Sequence, residues 1–172
     1  MMKEERTMDR RIDYGKAALE GVRALSGLDA YVRHSGLEAG LLDLVRVRAS
    51  QLNGCAYCID MHTKDARAGG ETEQRLYALS AWRGTPFYSD RERAALAWTE
   101  AITRIGDAPV PDALYEEARQ YFAEKELVDL TLVLIAINGW NRLSVAFRTE
   151  PGTYQPKPRT AAATWSLEGS VP

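Results

Sequence analysis

Leu41 to Arg67 reads L-L-D-L-V-R-V-R-A-S-Q-L-N-G-C-A-Y-C-I-D-M-H-T-K-D-A-R, two helical patterns joined at Asn53-Gly54. In the first, Leu41, Leu42, Val45, Ala49 and Leu52 recur at helical spacing. The V-R-V-R alternation at 45–48 is too short to outweigh that pattern as a strand. Asn53 and Gly54 both tolerate positive φ and stop the helix. A new helix opens near Cys55 and ends at Gly69-Gly70. It carries both cysteines of the chain, three residues apart, and one of its two histidines four residues further on. At about 100° per residue, Cys55 and His62 project within roughly 20° of each other and Cys58 about 40° away, so all three share one face. The two cysteine α-carbons stand about 5 Å apart, inside the reach of a disulfide. His62 lies about 6 Å along the axis from Cys58 and about 10 Å from Cys55, and helical side chains lean toward the N-terminus. The imidazole therefore leans toward Cys58.

Outward from this stretch the pattern stays helical. Ile12, Ala18, Leu19, Val22 and Leu25 form an apolar stripe in a first helix, and Ala30 to Gly36 reads as a short second one. Glu73 to Trp82 gives another, closed by Gly84, Thr85 and Pro86. Ser89 and Glu92 form a capping box that opens a helix to about Ile105. Ala113–Ala123 follows, and a last long helix runs from about Lys125 to Phe147. Its Leu127–Ile137 portion is apolar on nearly all sides, the mark of a helix buried in the protein and partly by another subunit. No strand-rich region and no internal repeat is visible. The expected fold is all-α: one helical domain over 1–148, with an extended or disordered tail over 149–172.

With 45% hydrophobic residues, the 172-residue chain can build one domain with a real core. Lys plus Arg (22) and Asp plus Glu (24) leave a formal net charge of -2, so no basic excess exists to neutralise nucleic-acid phosphates. The opening M-M-K-E-E-R-T-M-D-R-R lacks the apolar core of a secretory signal. The longest apolar run is interrupted by Asp129 and Thr131 and falls short of a membrane span. A cytoplasmic protein without nucleic-acid or membrane partners is expected. There, a lone thiol pair points to catalysis or metal binding rather than a permanent bridge.

A thiol attacks only as thiolate, and free cysteine has a pKa near 8.5. The helix N-terminus after Asn53-Gly54 favours the charge at Cys55, whereas His62 can act as base for Cys58. Cys58 is preferred as the attacking sulfur, because a histidine can return the proton to a leaving group as well as remove it. Two blander readings stand beside this one. The cysteines can be small buried hydrophobes, or zinc ligands with His62, although a structural site needs four ligands and the other histidine, His34, lies in another helix. Haem attachment is excluded because Ile59, not histidine, follows Cys58. No cofactor and no metal are expected.

The segment from Leu41 to Arg67, with the later W-N-R at Trp140–Arg142, resembles the AhpD-like, carboxymuconolactone decarboxylase superfamily, and the likeness extends from about Arg11 over most of the chain. The resemblance implies an all-helical AhpD-like fold with the CxxC at the N-terminus of a central helix, assembled as a trimer or hexamer. It implies a peroxidase or disulfide reductase acting on a small hydroperoxide with a thiol or disulfide electron donor. Cys58 would be oxidised to sulfenic acid, Cys55 would resolve it, and His62 would belong to a proton relay. The relay's glutamate falls on Asp43, whose side chain is about 1.5 Å shorter, so a direct hydrogen bond becomes water-mediated. From its own surroundings Asp43 reads equally well as a partner of Arg46 or Arg48. Tyr57 stands where some family peroxidases carry a second histidine, and either walls the pocket or packs. The superfamily also holds decarboxylases of small cyclic acids that generally lack paired cysteines, so that activity is the alternative, together with a non-catalytic helical oligomer. Elsewhere, Asp60 and Lys64 read as a solvated i,i+4 pair, Trp82, Trp98 and Trp140 as core or interface, and Asn141 as facing the pocket or, in preference, bonded locally to the backbone.

Overall fold

A computed structural model describes residues 9–156, and every regular element among them is helical. The first eight residues, and the part of the expected tail from 157 onward, lie outside the described residues. In chain order the elements are α1 (Tyr14–Ala17), α2 (Leu19–Arg33), α3 (Ala39–Leu52), α4 (Ala56–Ala68), α5 (Glu73–Ala78), a 3₁₀ turn (Leu79–Gly84), α6 (Asp90–Thr103), α7 (Asp112–Tyr121) and α8 (Glu124–Phe147).

Helix α3 organises the core because it is buried all round. Leu41, Leu42, Val45 and Ala49 join α2, α6, α7 and α8 in the main cluster, around Val32, Trp98, Phe122, Leu130, Val133, Leu134 and Ile137. Leu44 and Val47 point the other way, into a second cluster with Ala66, Leu76, Leu79, Trp82, Tyr88 and Leu96. The V-R-V-R alternation follows from this two-sided role. Its valines serve the two clusters, while Arg46 bonds Asp29 (3.1 Å) and Arg48 bonds Glu100 (2.9 and 2.7 Å). Helix α8 crosses the main core beside α2, where Gly139 lets Leu25 approach: a Cβ there would stand 3.2 Å from a Leu25 methyl. By length and composition α8 could cross a membrane, yet it packs against α2, α3, α4, α6 and α7. It carries buried Asp129, Asn138 and Asn141 among those partners.

Three features differ from the sequence reading. The separate helix over Ala30–Gly36 does not exist, because α2 runs unbroken through Ala30 to Arg33 and ends at the His34 cap, two residues before Gly36, where φ reaches +100°. The break comes earlier, at Ala18 (φ -137°), which divides the first stripe into α1 and α2. Glu73–Trp82 unwinds at Leu79 into the 3₁₀ turn. Three-residue repeats eclipse in that geometry, so Leu79 and Trp82 both enter the second cluster. The capping box at Ser89–Glu92 is present as expected.

Candidate active site

The thiol pair sits where two helix ends share one residue. Gly54 takes the left-handed conformation (φ +64°) just past α3, and its N–H donates to the Gln51 carbonyl (3.2 Å) while the Cys55 N–H donates to that of Ser50 (3.0 Å). These are the two bonds of a Schellman ending, which glycine makes at no steric cost. Cys55 is at once the N-cap of α4, with extended backbone and Sγ accepting from the Cys58 N–H at 3.3 Å. Cys55 and Cys58 form a disulfide with α-carbons 5.3 Å apart, and each is 1% exposed.

His62, one turn beyond Cys58, is buried, and its Nε2 has no hydrogen-bond partner. Burial first, and then the charge of Arg46, push its pKa down to about 3, with Asp29 opposing. The ring is therefore neutral at physiological pH. Arg46 is almost wholly buried and bonded to Asp29. Burial lowers the Arg46 pKa, opposed by Asp29 and Asp43. Asp29 also pairs with Arg33 at 2.6 Å, and although burial raises its pKa, the two guanidiniums hold the carboxyl below the usual range.

Asp43 is buried on α3 within the field of Arg46. The carboxylate that acts on His62 from α2 is Asp29, which the sequence reading missed: it lies 33 residues before His62 by number, and no spacing marks it. Tyr57 is half-buried, its hydroxyl pushed up first by burial and then by Tyr14, Asp60 and Asp65. It lies on the flank of α4 that the segment after α8 crosses. There Lys64 donates to the carbonyls of Gly152 (3.3 Å) and Tyr154 (3.1 Å), Asp60 accepts from the Gly152 N–H (3.0 Å), and the Tyr154 hydroxyl donates to Asp65 (2.6 Å). The Asp60–Lys64 pair is thus an anchor for this arm rather than a solvated pair. Asn141 does not bond its own helix. It meets Asn53 and Ser50 across the core. His34 bonds the Ala30 carbonyl of its own helix, and no group of three His, Cys, Asp or Glu suited to a metal ion occurs among the described residues.

Keeping His62 neutral makes the fold sensitive to acid. Its pKa is depressed in the folded state, so between pH 6.5 and about 3 the unfolded chain binds more protons and stability falls as pH falls. The contribution is complete above pH 6.5. About 3 kcal/mol of it should be gone at pH 4.5. Denaturant unfolding of the native protein and His62→Gln at both pH values checks this: the variant should lose clearly less stability on acidification.

The model of the carboxymuconolactone decarboxylase family matches residues 17–101. The chain is 46% identical over 139 residues to the uncharacterized protein YdfG of Bacillus subtilis (strain 168), covering 81% of this chain and 95% of that one. It is 30% identical over 117 residues to the uncharacterized protein YnjA of Escherichia coli (strain K12), covering 68% and 62%. Among solved structures it is similar, with a TM-score of 0.82 and 42% identity, to an Agrobacterium tumefaciens protein of unknown function described as a candidate antioxidant defence protein AhpD. That match covers 85% of this chain and 100% of the other.

Proposed function

We propose that this chain, which belongs to the carboxymuconolactone decarboxylase family and has the AhpD-like fold, is a thiol-dependent peroxidase of small hydroperoxides. The observation that carries the reading is a buried Cys55–Cys58 disulfide with a neutral histidine one turn on, its Nε2 unpartnered. In the reduced protein the Cys58 thiol lies one helical turn before His62 on the same face of α4, which makes this imidazole its base. His62 takes the proton, and the Cys58 thiolate attacks the outer oxygen of the hydroperoxide. The O–O bond breaks, sulfur becomes sulfenic acid, and the proton leaves with the alcohol. Cys55 then attacks the sulfenic sulfur, the disulfide forms and water departs. A dithiol donor returns two electrons and two protons. Burial of both sulfurs favours a small substrate, and regeneration by thiols suits the cytoplasm.

Thiol counting tests the proposal. The reduced protein should show two thiols, lose both to one equivalent of hydrogen peroxide, and regain both from excess dithiol. Two thiols persisting under peroxide would refute it.

The reading includes a homo-oligomer. Val128 (58% exposed) and Ile135 (51%) flank half-buried Leu132 at i,i+4,i+7 spacing, an apolar row on the outer face of α8 that a second copy would cover. Light scattering at micromolar concentration should give a multiple of 19.2 kDa, a trimer or hexamer. A mass equal to one chain would end this part of the reading.

A further inference from the structure

We infer that Asn53 and Asn141 are positioning residues for the thiol pair, holding the α3–α4 junction so that Cys55 remains the cap of α4 when the disulfide is open. The inference rests on the redox reading above.

Cys55 is bonded on two sides, its N–H closing the end of α3 on Ser50 and its sulfur capping α4 at Cys58. While the disulfide is closed, the S–S bond itself keeps Sγ over the first amides of α4. Once reduction opens it, the residues before the cap take over that role, and α8 grips two of them, Ser50 and Asn53. The Asn53 side-chain amide donates to Oδ1 of Asn138 (2.9 Å) and Oδ1 of Asn141 (2.8 Å). The Asn141 amide donates to the Ser50 hydroxyl (3.1 Å), which itself donates to the Arg46 carbonyl (2.8 Å). Arg142 steadies Asn138 Oδ1 at 3.0 Å.

Asn141 and Ser50 are fully buried. Helices α3 and α8 are already joined by the apolar main core, and burying amides there costs free energy that a hydrocarbon contact would not. The amides gather at one place on this interface, the end of α3 that hands the chain to Cys55. A fixed cap aims the α4 amides at Sγ, favouring the thiolate of the sulfur that resolves the sulfenic acid. Cys55 and Cys58 are three residues apart, so a relaxed junction still closes the bond readily. Losing the network therefore weakens the dithiol form more than the disulfide.

The test compares Asn53→Ala and Asn141→Leu with Thr131→Val, which removes the Trp98–Thr131 bond (3.0 Å) in the same core away from the junction. Each protein is reduced with a phosphine and its thiolate absorbance is titrated. The disulfide is separately equilibrated with reduced and oxidised glutathione. In the two asparagine variants the thiolate fraction at pH 7 should fall about fivefold and the disulfide should become about fivefold harder to reduce, the worth of one N-cap bond. Thr131→Val should lower thermal stability and shift neither. Asn53→Gln, which keeps the amide donor, should recover part of both shifts. If Asn53→Ala does not fold, Asn141→Leu decides by the same two readouts. Unchanged titration and equilibrium in the asparagine variants, or equal shifts in Thr131→Val, overturn the inference. A native disulfide that never exchanges with glutathione overturns the redox reading instead, and the thiolate titration still decides the positioning role.

Discussion

Cys58→Ser is expected to lose peroxide reduction by about three orders of magnitude or more, the scale on which removing a nucleophile acts. A serine hydroxyl is essentially never ionised near neutral pH, and its proton is far harder to remove than a thiol's. Cys55→Ser should behave differently. It leaves Cys58 and His62 intact, so one equivalent of peroxide is still consumed and a sulfenic acid forms. No neighbouring thiol then resolves it, and further peroxide drives sulfur to the sulfinic acid. The structure gives the two sulfurs unequal surroundings, Cys55 at the helix cap and Cys58 one turn before the imidazole. Mass spectrometry of each variant after one and after ten equivalents of peroxide separates the roles. If Cys58→Ser keeps single-turnover reactivity and Cys55→Ser loses it, the assignment is reversed.

Much of this site was legible because its signals are local. The Asn53-Gly54 stop, the three-residue cysteine spacing and the histidine one turn on act within a few residues of one another, and each has a direct structural counterpart. The Ser89–Glu92 capping box was readable for the same reason. Interactions that join distant segments were not. Asp29 and Arg46 meet because α2 and α3 fold against a common core, and neither periodicity nor composition marks an ion pair across that distance. Asn141 carries no local sign that its amide spans the core to Ser50, and asparagine near a backbone usually bonds it. The all-round greasiness of α8 was legible in part. Leu130, Val133, Leu134 and Ile137 are buried, while Val128 and Ile135 remain exposed. Hydrophobicity alone does not say which apolar face meets its own chain.

The charges around Arg46 should set the rate of sulfur oxidation. Asp43→Asn and Asp29→Asn should each slow it by about one or two orders of magnitude, within the range of general-base effects. Burial and the Arg46 guanidinium depress His62, and Asp29 opposes them, while both carboxylates act on Arg46 itself. Neutralising either one leaves the imidazole facing a less compensated positive charge, which makes it a poorer proton acceptor. The same field also favours a thiolate at Cys58. Arg46 and Asp29 act on the imidazole itself, and the loss at His62 should outweigh any gain at the sulfur. Asp29 is bonded to Arg46 and acts on His62 directly. Removing its charge also leaves a buried guanidinium without its bonded partner, at a cost of about 3–5 kcal/mol, so rates are compared below the unfolding range of each variant. Asp43→Glu keeps the charge and should match the native rate. Single-turnover peroxide consumption by the reduced proteins, followed from pH 5 to 9, isolates sulfur oxidation from recycling. If both Asp→Asn variants react as fast as the native protein, the two carboxylates serve only to pair Arg46, and His62 works without help from either.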